Sequence, residues 1–144
     1  MAGIVGLTEI QHTNGNSMLT VATTGDGNVK SEGGAATISL RQGLCKAWVN
    51  FNGAGTPAAR DSYNQSSLTD NGTGDFTQNF SSNFGNVNYS LGWAGGQHTV
   101  TWGLYMGYSS YGLTTSSHRH NVENPADNSQ DSILNTLLFI GDLA

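Results

Sequence analysis

Charged residues are scarce in this sequence. They make up 10% of the 144 residues, and the five Lys and Arg residues are scattered singly along a chain with a formal net charge of -5. Proteins that bind nucleic acid neutralise its phosphates with clustered basic side chains. We therefore expect no nucleic-acid partner.

Cysteine and long apolar runs are scarce as well. Cys45 is the single cysteine, so the chain cannot form an intramolecular disulfide and is compatible with assembly in a reducing cytoplasm. No stretch approaches the roughly 20 apolar residues that a membrane-spanning helix needs. We expect no membrane insertion.

Gly, Asn, Ser and Thr are abundant instead. These residues favour turns, loops and strand edges over helix interiors. Three Trp, five Tyr and five Phe residues supply more aromatic material than a disordered chain would usually carry. The composition predicts an all-β fold, and the length fits one main domain.

Short segments with alternating polarity predict the architecture. In the segment Cys45–Phe51 every second residue is apolar, which predicts a core strand that turns Trp48 to the opposite face. A large aromatic side chain there implies that another layer or another subunit covers this face. Further strands are predicted at 58–63, 66–69, 75–80, 88–93, 99–108 and 133–141. This pattern is typical of a jelly-roll-like β-sandwich.

The first 43 residues differ from the rest of the chain. Short β-like pieces alternate there with glycine turns such as Asn14-Gly15, and the apolar content is too low for an independent core. We therefore expect two parts. Residues 1–43 form an N-terminal β arm for anchoring or oligomerisation, and residues 44–144 form the β-sandwich domain.

His118-Arg119-His120 is the sharpest local pattern. On a strand the two imidazoles project from one face and can both reach one metal ion. One chain supplies only two ligands, so a metal would need a three-fold axis where three copies contribute six imidazoles. The alternative is that the polar stretch 109–132 is an exposed loop or hairpin tip with histidines in solvent. We expect no other cofactor.

The segment Thr69–Asp75 also has two interpretations. Its Asn71-Gly72 pair predicts a hairpin turn, because both residues tolerate positive φ. Its oxygen-bearing side chains would suit calcium, but the spacing does not match a twelve-residue calcium loop ending in Glu. We favour the hairpin.

Aromatic residues occur at positions that suggest packing or sugar contact. We interpret four of them as core or intersubunit packing residues: Trp48, Phe51, Trp93 and Trp102. Carbohydrate sites stack pyranose rings on exposed aromatic side chains. Tyr108, Tyr111 and Arg119 are therefore candidate ligand-binding residues.

The sequence contains no arrangement typical of an enzyme. There is no nucleophile elbow, and the glycine-rich segments 52–56 and 71–74 lack the Lys and following helix of a phosphate loop. The carboxylates Asp70 and Asp75 would serve glycoside hydrolysis only in an extended cleft, for which this chain has little room. We expect no catalytic residues and no enzymatic activity.

Several ordered segments carry a family resemblance. The segments KAWVNFNG at 46–53, RDSYN at 60–64, SLTDNGTGDF at 67–76 and NYS at 88–90 resemble a family of phage structural proteins. These are tail-fibre and related virion proteins of marine and aquatic phages. The similarity spans about Lys46 to Trp93, and EIQHTNG at 9–15 is similar to a leader that often precedes this module. After Trp93 the chain departs from the family pattern.

This resemblance implies a β-sandwich on the virion surface, in a trimer or another symmetric assembly, with no enzymatic role. We therefore predict a non-enzymatic structural protein of a bacteriophage: a capsid decoration, head-fibre or tail-fibre component assembled in the host cytoplasm. Its arm would attach to other virion proteins of the capsid, tail or fibre. The alternative is a receptor-binding tip that recognises a host surface glycan during host attachment.

Overall fold

The computed structural model describes residues 9–11, 17–21, 27–30, 36–96, 105–107 and 113–144. The chain forms two compact units, Met1–Leu44 and Cys45–Ala144. The described strands pair in antiparallel sheets, and the helical content of these ranges is one four-residue helix. None of the described helical structure is long and apolar enough to cross a membrane. The predicted all-β sandwich fold is confirmed.

The unit at Met1–Leu44 contains a four-stranded antiparallel sheet. Its strands follow chain order: β1 (Glu9–Gln11), β2 (Ser17–Val21), β3 (Gly27–Lys30) and β4 (Thr37–Ser39). The helix α1 (Leu40–Gly43) follows directly, and the Ser39 hydroxyl caps it by accepting a hydrogen bond from the Gln42 amide at 3.4 Å. Every strand therefore pairs only with its neighbours along the chain.

The unit at Cys45–Ala144 contains two four-stranded antiparallel sheets. Sheet I has the strand order β6-β5-β12-β9, made of Ala58–Tyr63, Cys45–Asn52, Leu134–Ile140 and Ser90–Gly96. Sheet II has the order β10-β11-β8-β7, made of Tyr105–Gly107, Ser117–Glu123, Asp75–Phe80 and Gln65–Gly72. The final strand β12 lies between β5 and β9, so it is a central strand.

The core lies between these two sheets. Period-two alternation turns Phe51 of β5 and Phe76 of β8 inward, where their ring centroids are 5.1 Å apart. Phe80 of sheet II and Phe139 of sheet I make a second contact at 5.1 Å. Both contacts join opposite sheets, which makes the unit a sandwich. The buried apolar residues are Ala47, Val49, Phe51, Phe76, Phe80, Phe84, Tyr89, Val122, Leu137 and Phe139.

Asn64 carries the chain from sheet I to sheet II. It is the one residue between β6 and β7, and its φ is 56°, a conformation that Asn tolerates better than most side chains. Its amide nitrogen donates to the carbonyls of Lys46 and Ser82 at 3.0 and 3.1 Å. Its side-chain oxygen accepts from the Ser82 amide at 2.7 Å. Asn64 thus ties the two sheets together at one edge.

The predicted strands at 58–63 and 75–80 agree with β6 and β8 residue for residue. The expectation that 109–132 is an exposed loop is wrong for Ser117–Glu123, which forms β11 and pairs with β8 in sheet II. His118 and His120 occupy inward positions of this strand. Because both residues are polar, the segment lacks the apolar residue at every second position that would have predicted a strand.

Candidate functional site

The inward side of β11 places two histidines in the sandwich core. His118 is 4% exposed and His120 is 1% exposed. On the neighbouring strand β8, Gln78 lies opposite His118 in the register and is also buried. We call His118 and His120 the buried histidine pair, and these two residues together with Gln78 the polar core cluster.

The two imidazoles stack within an aromatic environment. Their ring centroids are 5.7 Å apart and their planes differ by 12°. The ring of His120 lies 6.1 Å from Phe51 and 5.9 Å from Phe76, and the ring of His118 lies 5.4 Å from Phe139. Both sheets therefore pack apolar rings against the histidines.

The polar core cluster has no hydrogen-bond partners among the described residues. The four ring nitrogens of His118 and His120 are unpaired, and so are both side-chain polar atoms of Gln78. A buried polar group without a partner costs about 1–3 kcal/mol of folding free energy. Such groups are rare in native cores, so this cluster is a candidate site.

Burial keeps these imidazoles neutral. It lowers the pKa of His118 from 6.5 to about 4. Burial also lowers the pKa of His120, and the neighbouring His118 adds to this effect, so that its pKa falls to about 3 although Asp75 opposes the change. At neutral pH both rings are therefore uncharged in the folded chain.

The histidine positions bear on the expected metal site. The two rings do project from one face of a strand, but that face is the interior of a single chain and not a surface that three copies could share. Imidazole lone pairs lie in the ring plane, so nearly parallel stacked rings do not aim at one ion about 2.1 Å from both nitrogens. Within the described ranges, no three His, Cys, Asp or Glu residues cluster as metal ligands.

Arg119 lies between the histidines and points outward. Its Nε donates to Asp75 Oδ1 at 2.9 Å, and its Nη2 donates to Asp75 Oδ2 at 2.6 Å. This two-point ion pair joins β11 to β8 on the outer face of sheet II. The other candidate ligand-binding residues, Tyr108 and Tyr111, lie outside the described residues.

Amide and hydroxyl side chains continue this outer face beside the ion pair. The Asn79 amide nitrogen donates to Ser67 Oγ at 3.0 Å and to Thr69 Oγ1 at 3.2 Å. The Asn71 amide nitrogen donates to Thr77 Oγ1 at 2.9 Å. These bonds cross from β7 to β8, so the face is a hydrogen-bonded polar surface. It was not predicted, because the sequence does not show which polar residues lie opposite each other.

The segment Thr69–Asp75 contains the end of β7, the turn at Thr73-Gly74 and the start of β8. Gly72 and Gly74 have positive φ values of 131° and 69°. The Asp70 carboxylate accepts from the Gly72 amide at 3.0 Å, and Asp75 is engaged by Arg119. The hairpin interpretation accounts for each of these contacts.

The outer face of sheet I carries a cross-strand row of apolar side chains. Tyr63, Trp48 and Leu138 lie opposite one another on β6, β5 and β12, and we call them the apolar row. Tyr63 is 54% exposed, Leu138 is 40% exposed and Trp48 is half-buried. On the next strand the row ends at Gly92. Trp48 thus faces away from the core, as the alternation predicts.

The remaining predicted packing residues occupy different places. Phe51 is fully buried at the centre of the core. Trp93 packs against the core from β9 and is half-buried, and its indole nitrogen is buried without a partner. Trp102 lies outside the described residues.

An open groove lies beside the edge strands β6 and β7. Its volume is about 310 Å³. Its lining consists of small and neutral residues: Pro57, Ala58, Ala59, Ser62, Gln65, Ser66, Ser67 and Leu68. No residue of this lining can act as a general acid or base at neutral pH.

No protein-family model, curated protein or solved structure matches the chain in comparisons with known proteins.

Proposed function

We propose that this chain is a non-enzymatic structural protein of a bacteriophage particle. It displays its sandwich on the virion surface, assembles with copies of itself and attaches to other virion proteins through its N-terminal unit. The resemblance of residues 46–93 implies a trimer or another symmetric assembly. The resemblance of residues 46–93 carries the assignment to a phage particle, and the apolar row on the outer face of sheet I carries the assembly with other copies.

The apolar row has the properties of a contact surface. Ile140 and Leu134 extend it along β12, with exposed fractions of 36% and 43%. Contiguous exposed apolar side chains mark interaction sites more often than single ones do. Burying such area contributes about 25 cal/mol per Å². Covering the row with a partner therefore makes the free energy of association more favourable, because water is excluded from the apolar side chains.

The shape of this face favours another flat sheet as its partner. Gly92 and Ala94 of β9 pair with Leu138 and Thr136, so small side chains border the row on one flank. Flat sheet faces pack about 10 Å apart in sandwiches. A second copy of sheet I offers such a face.

The charges around the row support a second copy as the occupant. On β5, Lys46 and Asn50 lie on either side of Trp48, and Asp61 lies opposite Asn50 on β6. One side of the row thus carries the Lys46 ammonium group. The other side carries the Asp61 carboxylate and the Arg60 guanidinium, which donates to Asn50 Oδ1 at 3.1 Å and to the Ile133 carbonyl at 2.6 Å. Because Arg60 is hydrogen-bonded within its own chain, Lys46 of one copy can face Asp61 of the next in a symmetric assembly.

The chemistry of the described concave surface supports a non-enzymatic role. The groove beside β6 and β7 is lined by neutral residues. The buried histidine pair is enclosed by the core, where a substrate has no access without opening of the sheets. The buried histidine pair, whose imidazoles are the side chains best suited to acid–base chemistry in the described sandwich, therefore lies away from the groove.

The oligomeric state of the full chain tests the proposal. Sedimentation equilibrium at micromolar concentration should give a symmetric oligomer for the wild type. The double variant Tyr63→Ser/Leu138→Ser should shift to monomer, because it removes the two most exposed side chains of the row. Its circular dichroism spectrum should stay unchanged, since neither side chain contributes to the core.

The matched control is Val87→Ser. Val87 is 41% exposed but lies in the loop before β9, away from the row. This variant should remain oligomeric. A wild-type chain that is monomeric at micromolar concentration, or a row variant with the wild-type mass, would overturn the proposed assembly.

A further inference from the structure

The proposed assembly makes no use of the polar core cluster. Its histidines lie on the central strand β11, between the aromatic rings of both sheets. A neutral imidazole can occupy this place at the cost of unpaired nitrogens, but an imidazolium cannot, since burying an isolated charge costs far more than burying a neutral polar group. The two rings are also adjacent, so two positive charges would repel each other.

We propose that the buried histidine pair makes the sandwich an acid-sensitive device, in which protonation of His118 and His120 in mildly acidic solution separates sheet I from sheet II. The trigger is the proton, and the moving parts are the two sheets. The inference is independent of the phage assignment and of the apolar row.

The direction follows from the pKa values of the two states. In the unfolded or opened chain both imidazoles have their ordinary pKa of 6.5, whereas burial lowers the pKa to about 4 for His118 and about 3 for His120. As the pH falls below 6.5, the opened state therefore takes up protons first. The stability of the folded state is therefore highest above pH 6.5, where the histidines are neutral in both states. It decreases progressively as the pH falls towards 4.

The charges around the pair leave this direction unchanged. On β8, Asp75 raises the pKa of His120, but its carboxylate is shared with Arg119 on the outer face. Tyr89 lies 6.3 Å from His118, and burial raises its pKa to about 12, so it stays neutral.

Sheet I adds no negative charge inside the core, because its one carboxylate, Asp61 of β6, is exposed. β12 carries no titratable side chain, and the titratable residues of β5 are Cys45 and Lys46 at its start. β10 pairs with β11 only at residues 121–123, beyond the histidines. No carboxylate of the described strands points into the core beside the pair, so an imidazolium would have no ion-pair partner there.

Segment-resolved hydrogen exchange of the full chain tests the device. Peptides that cover β8 and β11 are followed between pH 7.5 and 5, and each rate is corrected for the intrinsic effect of pH. Between pH 6.5 and 5 their protection should fall by up to about tenfold per pH unit for each histidine, because each one binds a proton only on opening. Carboxylates titrate mainly below this window, so they do not account for the loss.

Two variants provide matched comparisons. His118→Phe/His120→Phe keeps two aromatic rings and removes both titrations, so its protection should be flat over this window. His12→Gln/His98→Gln removes the other two histidines of the chain and should keep the wild-type acid dependence.

A measurement on the wild type covers the case in which the phenylalanine variant does not fold. NMR of ¹³C-labelled histidine should show two imidazoles that stay neutral in the folded chain at pH 5. Folded-state titration of all four imidazoles near pH 6.5 would overturn the proposal. A folded phenylalanine variant with the acid dependence of the wild type would overturn it as well.

Discussion

At the scale of single residues, glycines decide how closely the backbone segments of the sandwich approach one another. Gly74 has a φ of 69°, and a Cβ atom there would lie 2.6 Å from the Val122 carbonyl oxygen and 2.7 Å from the Gln130 amide nitrogen. Its carbonyl accepts from the Val122 amide at 2.7 Å, and the Asp131 carboxylate accepts from its own amide at 2.8 Å. The hairpin turn is thereby fixed to β11 through Val122 and to the segment that follows β11 through Asp131.

Gly74→Ala should destabilise the chain by about 2–4 kcal/mol, because it combines left-handed strain with overlap against backbone atoms that cannot rotate away. Gly55→Ala is the matched control. Gly55 has a similar φ of 72° but no atom within 4 Å of an added Cβ, so strain alone remains at about 1 kcal/mol. Urea unfolding of both variants measures the difference. Equal losses would show that the close approach at Gly74 is not structurally important.

The sequence predicted the residue chemistry at this scale only in part. Asn71-Gly72 predicted a hairpin turn because glycine tolerates positive φ, and a hairpin does form, but these two residues end β7 and the turn lies at Thr73-Gly74. The importance of Gly74 was not predicted, because the atoms that crowd it belong to residues 122 and 130. Contacts over such sequence distances depend on the fold and leave no local pattern.

At the scale of elements, the two faces of β12 have different roles. The inner face contributes to the stability of the fold, and the outer face belongs to the surface proposed for assembly. Leu137 is fully buried between the sheets, whereas Leu138 belongs to the apolar row on the outer face. The residues are adjacent and chemically identical. Any difference in the effect of their substitution therefore reports the two environments.

Leu137→Ala should lower the free energy of unfolding by about 2–5 kcal/mol, because it removes buried methyl groups and leaves a cavity. Leu138→Ala should cost less than about 1 kcal/mol in dilute solution, as expected for a surface substitution. Chemical denaturation at concentrations below association measures both. A large loss for Leu138→Ala in the monomer would mean that its side chain packs within the chain and is not available to a partner.

Elements differed in how well their sequence predicted them. The alternation in Cys45–Phe51 predicted β5, and the turn residues around β6 and β8 predicted both sets of bounds. The strand β11 was missed because histidines hold two of its inward positions. The buried histidine pair could have been found by asking whether His118 and His120 continue the period-two pattern that ends at Val122.

At the scale of the whole molecule, the chain combines a small antiparallel sheet with a larger sandwich, and each is a compact unit. The predicted boundary after residue 43 lies close to the division at Leu44, but the anchoring role of the first unit stays a prediction. Composition and strand spacing were enough for the fold class. They could not predict the apolar row, because it forms only when β5, β6 and β12 are brought into register.

Electron cryo-microscopy of intact particles of a phage whose genome encodes this chain tests the central claim most directly. The account predicts density for the sandwich on the particle surface, with sheet I of each copy packed against another copy and Trp48 buried in the contact. Particles that lack the chain, or isolated sandwiches whose Tyr63, Trp48 and Leu138 face solvent, would contradict it.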